Sequence, residues 1–233
     1  MVTDSPAAGI RRPRTVTGLL LCGAVAGPLF AATVLIEGAT RADYDPLRHS
    51  ISSLALGPAG WVQTVNFLVA GALSLAFAVG LRRSLRGTAG SRWGPNLVGL
   101  WGVGLLGAGL FTTDPDSGYP PGSPFPLEEP TLHGVLHNLS AGVGFPALIA
   151  ACLVLARRFA TQGRRAWSLY SAASAVVILA FVILASYGFG RTGAVSDLAG
   201  LFQRISVMAG WAWLTVVALG SLRERSGVQQ QVA

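Results

Sequence analysis

The chain has three histidines, His49, His133 and His137. His133 and His137 stand four apart, a spacing that stacks two side chains on one helical face. It is also the spacing by which a helix offers two nitrogens to one zinc ion. His49 is the candidate third ligand, in the stretch Arg48-His49-Ser50-Ile51-Ser52-Ser53. Wound as a short helix, that stretch puts His49 and Ser53 on one face. Asp114 and Asp116 follow an apolar run at the same depth. These parts suit a metal-dependent hydrolase. A zinc held by His49, His133 and His137 would lower the pKa of a bound water, and Asp114 would take its proton or orient a ligand. His49, Ser53 and Asp114 form the candidate catalytic set. Ser50 and Asn66 are candidate substrate contacts, and Arg48 and Arg204 suit a lipid phosphate or carboxylate.

Each residue also has a structural reading. Asp114-Pro115 can end a helix and turn the chain. The serines can cap a short helix after Pro46. Arg204 can snorkel or pair with Asp197. Cys22 and Cys152 read as small buried apolar residues. What favours chemistry is convergence, since every histidine falls beside acids and hydroxyls.

The elements that position these residues are apolar runs of membrane-spanning length. The sequence predicts six, over about 16–36, 61–81, 93–111, 132–156, 167–187 and 198–219. Trp61, Trp93, Trp167 and Tyr187 stand at their ends, as in an interfacial aromatic belt. The first run is about 20 residues, longer than the apolar stretch of a secretory signal, and reads as an uncleaved helix. Five glycines, Gly99, Gly102, Gly104, Gly107 and Gly109, crowd the third run, which predicts close backbone contacts.

Composition agrees. Of 233 residues, 52% are hydrophobic and 12% charged, and mean hydropathy is +0.55. That excludes a disordered chain, and two cysteines exclude a disulfide scaffold. The net charge of +7 comes from 17 basic residues, all arginine. They cluster between apolar runs and form no single basic surface, which argues against a nucleic-acid partner. One set of helix ends holds thirteen arginines against Asp4 and Glu224; the other holds four against eight acids. The positive-inside rule then places both termini in the cytoplasm. The expected division is a cytoplasmic segment at 1–15, a six-helix transmembrane domain at 16–222 and a cytoplasmic tail at 223–233, polar and unstructured from Ser226 to Ala233. The fold class is an all-α polytopic bundle in a bacterial cytoplasmic membrane.

The pattern Tyr44-Asp45-Pro46-Leu47-Arg48-His49-Ser50-Ile51-Ser52-Ser53-Leu54-Ala55-Leu56-Gly57, followed by Gly60-Trp61, resembles the first-loop signature of the bacterial membrane family catalogued as domain of unknown function 998. The sequel fits: Gly109-Leu110-Phe111 into Asp114-Pro115, then a proline-rich loop into Leu132-His133 and His137. The resemblance spans about Thr17 to Arg225 and implies a six-helix membrane fold. More loosely, the three-His, Asp and Ser set is similar to the alkaline ceramidase and adiponectin-receptor superfamily of membrane hydrolases. Those proteins have seven helices and a Ser-x-x-x-His; here the order is reversed, His49 to Ser53, with one helix fewer.

The sequence therefore predicts a membrane enzyme with an outward-facing His/Asp/Ser pocket, using zinc on a lipid or amphipathic substrate. A small-molecule transporter or ligand binder is the alternative, with a non-catalytic scaffold as the third. A transporter needs polar groups at mid-depth, and the sequence offers few.

Overall fold

The computed structural model describes residues 13–85, 92–124, 128–189, 191 and 193–232. These residues form six long helices: α1 (Pro13–Thr40), α2 (Gly60–Ser84), α3 (Trp93–Leu110), α4 (Leu132–Thr161), α5 (Arg165–Gly188) and α6 (Ala199–Val232). Two short 3₁₀ turns lie at Ser52–Ala55 and Ser196–Leu198. No strand occurs among the described residues. The expected elements are all present, most of them longer than the apolar runs alone suggest. The largest difference is at the C-terminus. The sequence implies a tail after about residue 222, yet α6 continues helically to Val232.

Helices apolar on every side must either be buried all round or face lipid. Here the outward positions carry large exposed apolar side chains, among them Leu35, Ile36, Leu169 and Val176. Each helix packs on its sequence neighbours, and α6 closes on α1, so the six form a ring. Aromatic residues from four helices fill its centre. Phe30 lies 5.2 Å from Trp211 and 5.7 Å from Phe67, and Trp101 lies 5.8 Å from Trp211, all between ring centroids.

Among the described residues, five helices are long and apolar enough to cross a membrane. The remaining one, α3, has 18 residues that include six glycines, Pro95 and Asn96, which lower its hydropathy. It compensates by close packing against α2 and α4. A Cβ added to Gly71 would stand 2.9 Å from the Gly102 carbonyl oxygen, and one added to Gly102 would stand 3.0 Å from that of Gly71. The α2 and α3 backbones thus touch with no side chain between them, the contact small residues permit in lipid.

Three connections, residues 41–59, 111–131 and 189–198, gather at one end of the ring, and all three histidines lie in them or in the first turns of α4. The opposite end holds the arginine clusters, where Arg82 donates to Asn96 Oδ1 (2.8 Å) and Arg164 pairs with Glu224.

The Gly71–Gly102 contact predicts a contrast. Gly102→Val should destabilise the detergent-solubilised protein by about 1–3 kcal/mol, the usual cost of overpacking. Gly142→Ala, where an added Cβ meets nothing within 4 Å, should leave the thermal midpoint unchanged or raise it. Equal midpoints for the two variants would contradict this packing.

Candidate functional site

Residues 41–59 carry little regular hydrogen bonding, so their carbonyls need donors from elsewhere. Two arginines supply them. Arg41, just past α1, donates to the carbonyls of Leu56 (2.9 Å), Leu54 (3.2 Å) and Ala59 (3.2 Å), and pairs with Glu37 (2.6 Å). Arg204, on α6, donates to the carbonyls of His49 (2.9 Å) and Gly200 (3.0 Å) and to the Tyr44 hydroxyl. Tyr44 in turn donates to the Ser50 carbonyl (2.8 Å). Burial pushes its phenol up to about 12 against the pull of Arg204, so it keeps that proton. The loop also lies directly on α6. A Cβ on Gly200 would come within 2.5 Å of the His49 carbonyl oxygen, and Leu201 N–H donates to the Leu47 carbonyl (2.9 Å).

The predicted metal site does not assemble. His49 is buried, and its Nδ1 accepts from Asp45 N–H (2.9 Å). Its ring packs against Tyr44 and Tyr119 (5.4 and 5.1 Å). The side chain joins two loops, and its Nδ1 is occupied by the Asp45 N–H. His133 is exposed, with its ring on Phe111, while His137 turns inward. Among the described residues, no three His, Cys, Asp or Glu side chains stand close enough to share an ion. The four-residue spacing is present, but His137 turns inward onto Ser52 and the end of α3 while His133 stands exposed.

Other expected roles change as well. Ser53 is fully buried, and its hydroxyl bonds the Ser50 hydroxyl (2.8 Å). It shares no face with His49, because the 3₁₀ turn starts at Ser52. Ser50 donates to Asp116 Oδ2 (2.8 Å). Asp114 accepts from Thr131 N–H (2.9 Å) and Thr131 Oγ1 (2.6 Å), and Thr131 caps α4 through Gly134 N–H (3.0 Å). Both Asp114 oxygens are therefore spent on a helix start and not on a base. Asn66 donates to Gln63 Oε1 (3.1 Å) and to the Phe30 carbonyl (3.4 Å), tying α2 to α1. Arg204 positions the loop and does not pair with Asp197. Arg48 lies near His49, with its Nε buried and unbonded.

The groups that do converge are Ser52 and His137. His137 Nε2 and Ser52 Oγ are 2.8 Å apart. On the other side of the ring, Nδ1 faces the carbonyl oxygens of Phe111 (2.8 Å) and Ala108 (3.1 Å). Carbonyls only accept, so Nδ1 carries the proton and Nε2 presents its lone pair to the Ser52 hydroxyl. Both carbonyls belong to the C-terminal end of α3, where helical carbonyls lack partners and the helix dipole favours positive charge. Gln203 Oε1 accepts from Ile51 N–H (2.6 Å), which leaves its amide NH₂ free of that bond, and Gln203 lines the same cavities as Ser52.

Ser52 and His137 line a cavity of about 630 Å³ that also carries Ser50, Asp116, Asn138 and Gln203. Asp116 is held above the ordinary carboxylate range by burial, against the opposing pull of the Ser50, Ser53 and Ser117 hydroxyls.

The family model for Protein of unknown function (DUF998) matches residues 24–220. The chain belongs to this family. No curated protein and no solved structure matches it. The matched span of this DUF998 chain includes the loop at 41–59, both partners of the Ser52–His137 pair and Gln203.

Ser52 is the residue the sequence reading missed. A period of three was the available signal. In a 3₁₀ turn positions three apart eclipse, so Ser50 and Ser53 bond each other and Ser52 is left facing another way.

His49 yields a prediction about pH. Burial, with help from Arg48 and Arg204, holds its imidazole below the ordinary 6.5, against Asp45 and the Ser117 carbonyl. The folded protein keeps this ring neutral, while the unfolded chain binds a proton near 6.5. The stabilisation is complete above that pH and is lost as pH falls through it. The thermal midpoint should drop between pH 7.5 and 5.5, and His49→Asn should flatten that slope. An unchanged slope in the variant would remove His49 as its source.

Proposed function

We propose that this protein is a membrane-embedded serine hydrolase or acyltransferase, with Ser52 as nucleophile and His137 as general base. The observation that carries the reading is the 2.8 Å Ser52 Oγ–His137 Nε2 contact on a cavity wall, with the tautomer fixed by the carbonyls of Ala108 and of Phe111, the residue that caps α3. A serine becomes nucleophilic when a neighbouring base takes its proton and a third group orients that base.

Ser52 Oγ attacks the acyl carbon as its proton passes to His137 Nε2. The imidazolium so formed is stabilised by the Ala108 and Phe111 carbonyls. Gln203 donates its amide hydrogen to the developing oxyanion. The bond from acyl carbon to leaving oxygen breaks, and His137 returns the proton to that oxygen. In hydrolysis, water then gives a proton to His137 and attacks the acyl-serine. The acid leaves as the proton returns to Ser52. The role expected of Ser53 passes to Ser52, and His137 becomes a base where zinc ligation was expected.

In this reading all six helices cross the membrane, α3 included, with both termini in the bacterial cytoplasm. The arginine distribution supports that orientation, and it opens the Ser52 cavity to the outer side. The substrate is an amphiphile arriving from the outer leaflet. The orientation is tested with single cysteines in a Cys22→Ala/Cys152→Ala background. An impermeant maleimide should label Ala59→Cys but not Gln162→Cys in intact cells; the reverse pattern would invert the topology.

The chemistry is tested with a fluorophosphonate probe on the purified protein in neutral detergent. Wild type should be labelled covalently, and Ser52→Ala should not. His137→Ala should label about 10²–10⁴-fold more slowly, the usual contribution of a positioned base. Ser53→Ala should retain labelling. An unlabelled wild type, or equal labelling of Ser52→Ala, would overturn the assignment.

A further inference from the structure

Ser52 and His137 line a second cavity besides the one of about 630 Å³. This one is about 60 Å³ and lies inside the ring. Its walls are apolar, formed by Phe30, Phe67, Trp101, Leu105, Phe145 and Val207. The two cavities share Ser52, His137, Ala141, Phe145 and Gln203, so the serine hydroxyl stands where they meet. The inner cavity runs down three helices in step. On α4 the lining passes from His137 through Ala141 to Gly144, on α3 from Ala108 through Gly104 to Trp101, and on α6 from Gln203 to Val207. Seven helical residues rise about 10 Å, so the pocket descends about two turns below the serine. No histidine other than His137, and no charged side chain, lines it.

We infer that the inner cavity holds the acyl chain of the substrate, and that the chain it accepts is short. The inference rests on the Ser52–His137 reading and adds the substrate class to it. An apolar chain entering this pocket brings its carbonyl carbon to the mouth, beside Ser52 Oγ and the Gln203 amide. The alcohol or other leaving group then occupies the larger polar cavity. On the measure by which a single water needs about 10–15 Å³, 60 Å³ admits roughly four such spheres, which suits an acyl group of about four to six carbons. The pocket cannot widen freely. Gly104 and Gly144 are already in backbone contact, since a Cβ on Gly104 would stand 2.9 Å from Gly144 Cα, and a Cβ on Gly144 would stand 3.3 Å from Trp101. A long lipid acyl chain is therefore excluded from this pocket by helices that already touch.

The experiment is a series of p-nitrophenyl esters from acetate to palmitate, hydrolysed by the whole protein in neutral detergent. Ser52→Ala serves as the blank. Wild type should peak at butyrate to hexanoate and fall at least tenfold by dodecanoate. Val207→Phe should lose hexanoate turnover at least tenfold relative to acetate. Val207→Ala should move the optimum about two carbons longer, which keeps the test decisive if the larger side chain disrupts folding. Ser52-dependent turnover with one chain-length profile in wild type and Val207→Ala would overturn the pocket and leave the serine mechanism standing. Turnover that peaks at palmitate would do the same. No Ser52-dependent turnover of any ester, together with no fluorophosphonate labelling, would overturn both.

Discussion

The carbonyl groups of residues 41–59 set the main constraint at the functional end of this protein. A non-helical segment packed against apolar helices has no water to satisfy its backbone, and an unpaired buried carbonyl is costly. Arg41 and Arg204 meet that demand from opposite sides, one just past α1 and one on α6. Because α1 and α6 are neighbours in the ring, the loop is held across the seam where the bundle closes. Everything proposed for Ser52 depends on this clamp. The serine sits one residue after Ile51, whose N–H is bonded to Gln203, and three after His49, whose carbonyl is bonded to Arg204.

The glycine-rich α3 serves the same end. Its close approach to α2 and α4 lets its last turn face α4, so the Ala108 and Phe111 carbonyls reach His137. In the proposed mechanism these carbonyls take the part that a carboxylate takes in a serine-protease triad: they fix the tautomer and would favour the charged ring. No acid is needed there, and the nearby Asp114 is occupied with capping α4.

Most of the fold was legible in the sequence. Length and apolarity mark six helices, and the glycines of α3 announce its tight contacts. The α6 extension was not legible, because polar residues after Leu222 read as tail when helix continuation is judged from apolarity. At the site, the sequence singled out the end of the molecule where the Ser52–His137 pair lies, and His137 itself, though as a zinc ligand. It misassigned His133, His49 and Ser53 because side-chain direction in a loop does not follow from residue spacing. His49 is turned by a bond to Asp45 N–H, four residues earlier, and a 3₁₀ turn replaces the helical period that paired it with Ser53. Arg204 had two expected partners, solvent or Asp197. It has neither, because backbone acceptors 155 residues earlier in the chain take its donors.

Closure of the ring by α6 against α1 also fixes a sequence of events in synthesis. The loop at 41–59 leaves the ribosome early, after one helix. Its partners arrive far later: His137 with the fourth helix, then Gln203 and Arg204 with the sixth. Until α4 and α6 are made, Ser52 has neither His137 nor Gln203 beside it. A chain that stops before α6 therefore carries the serine without its surroundings. The Ser52–His137–Gln203 arrangement is complete only once the last helix seals the bundle.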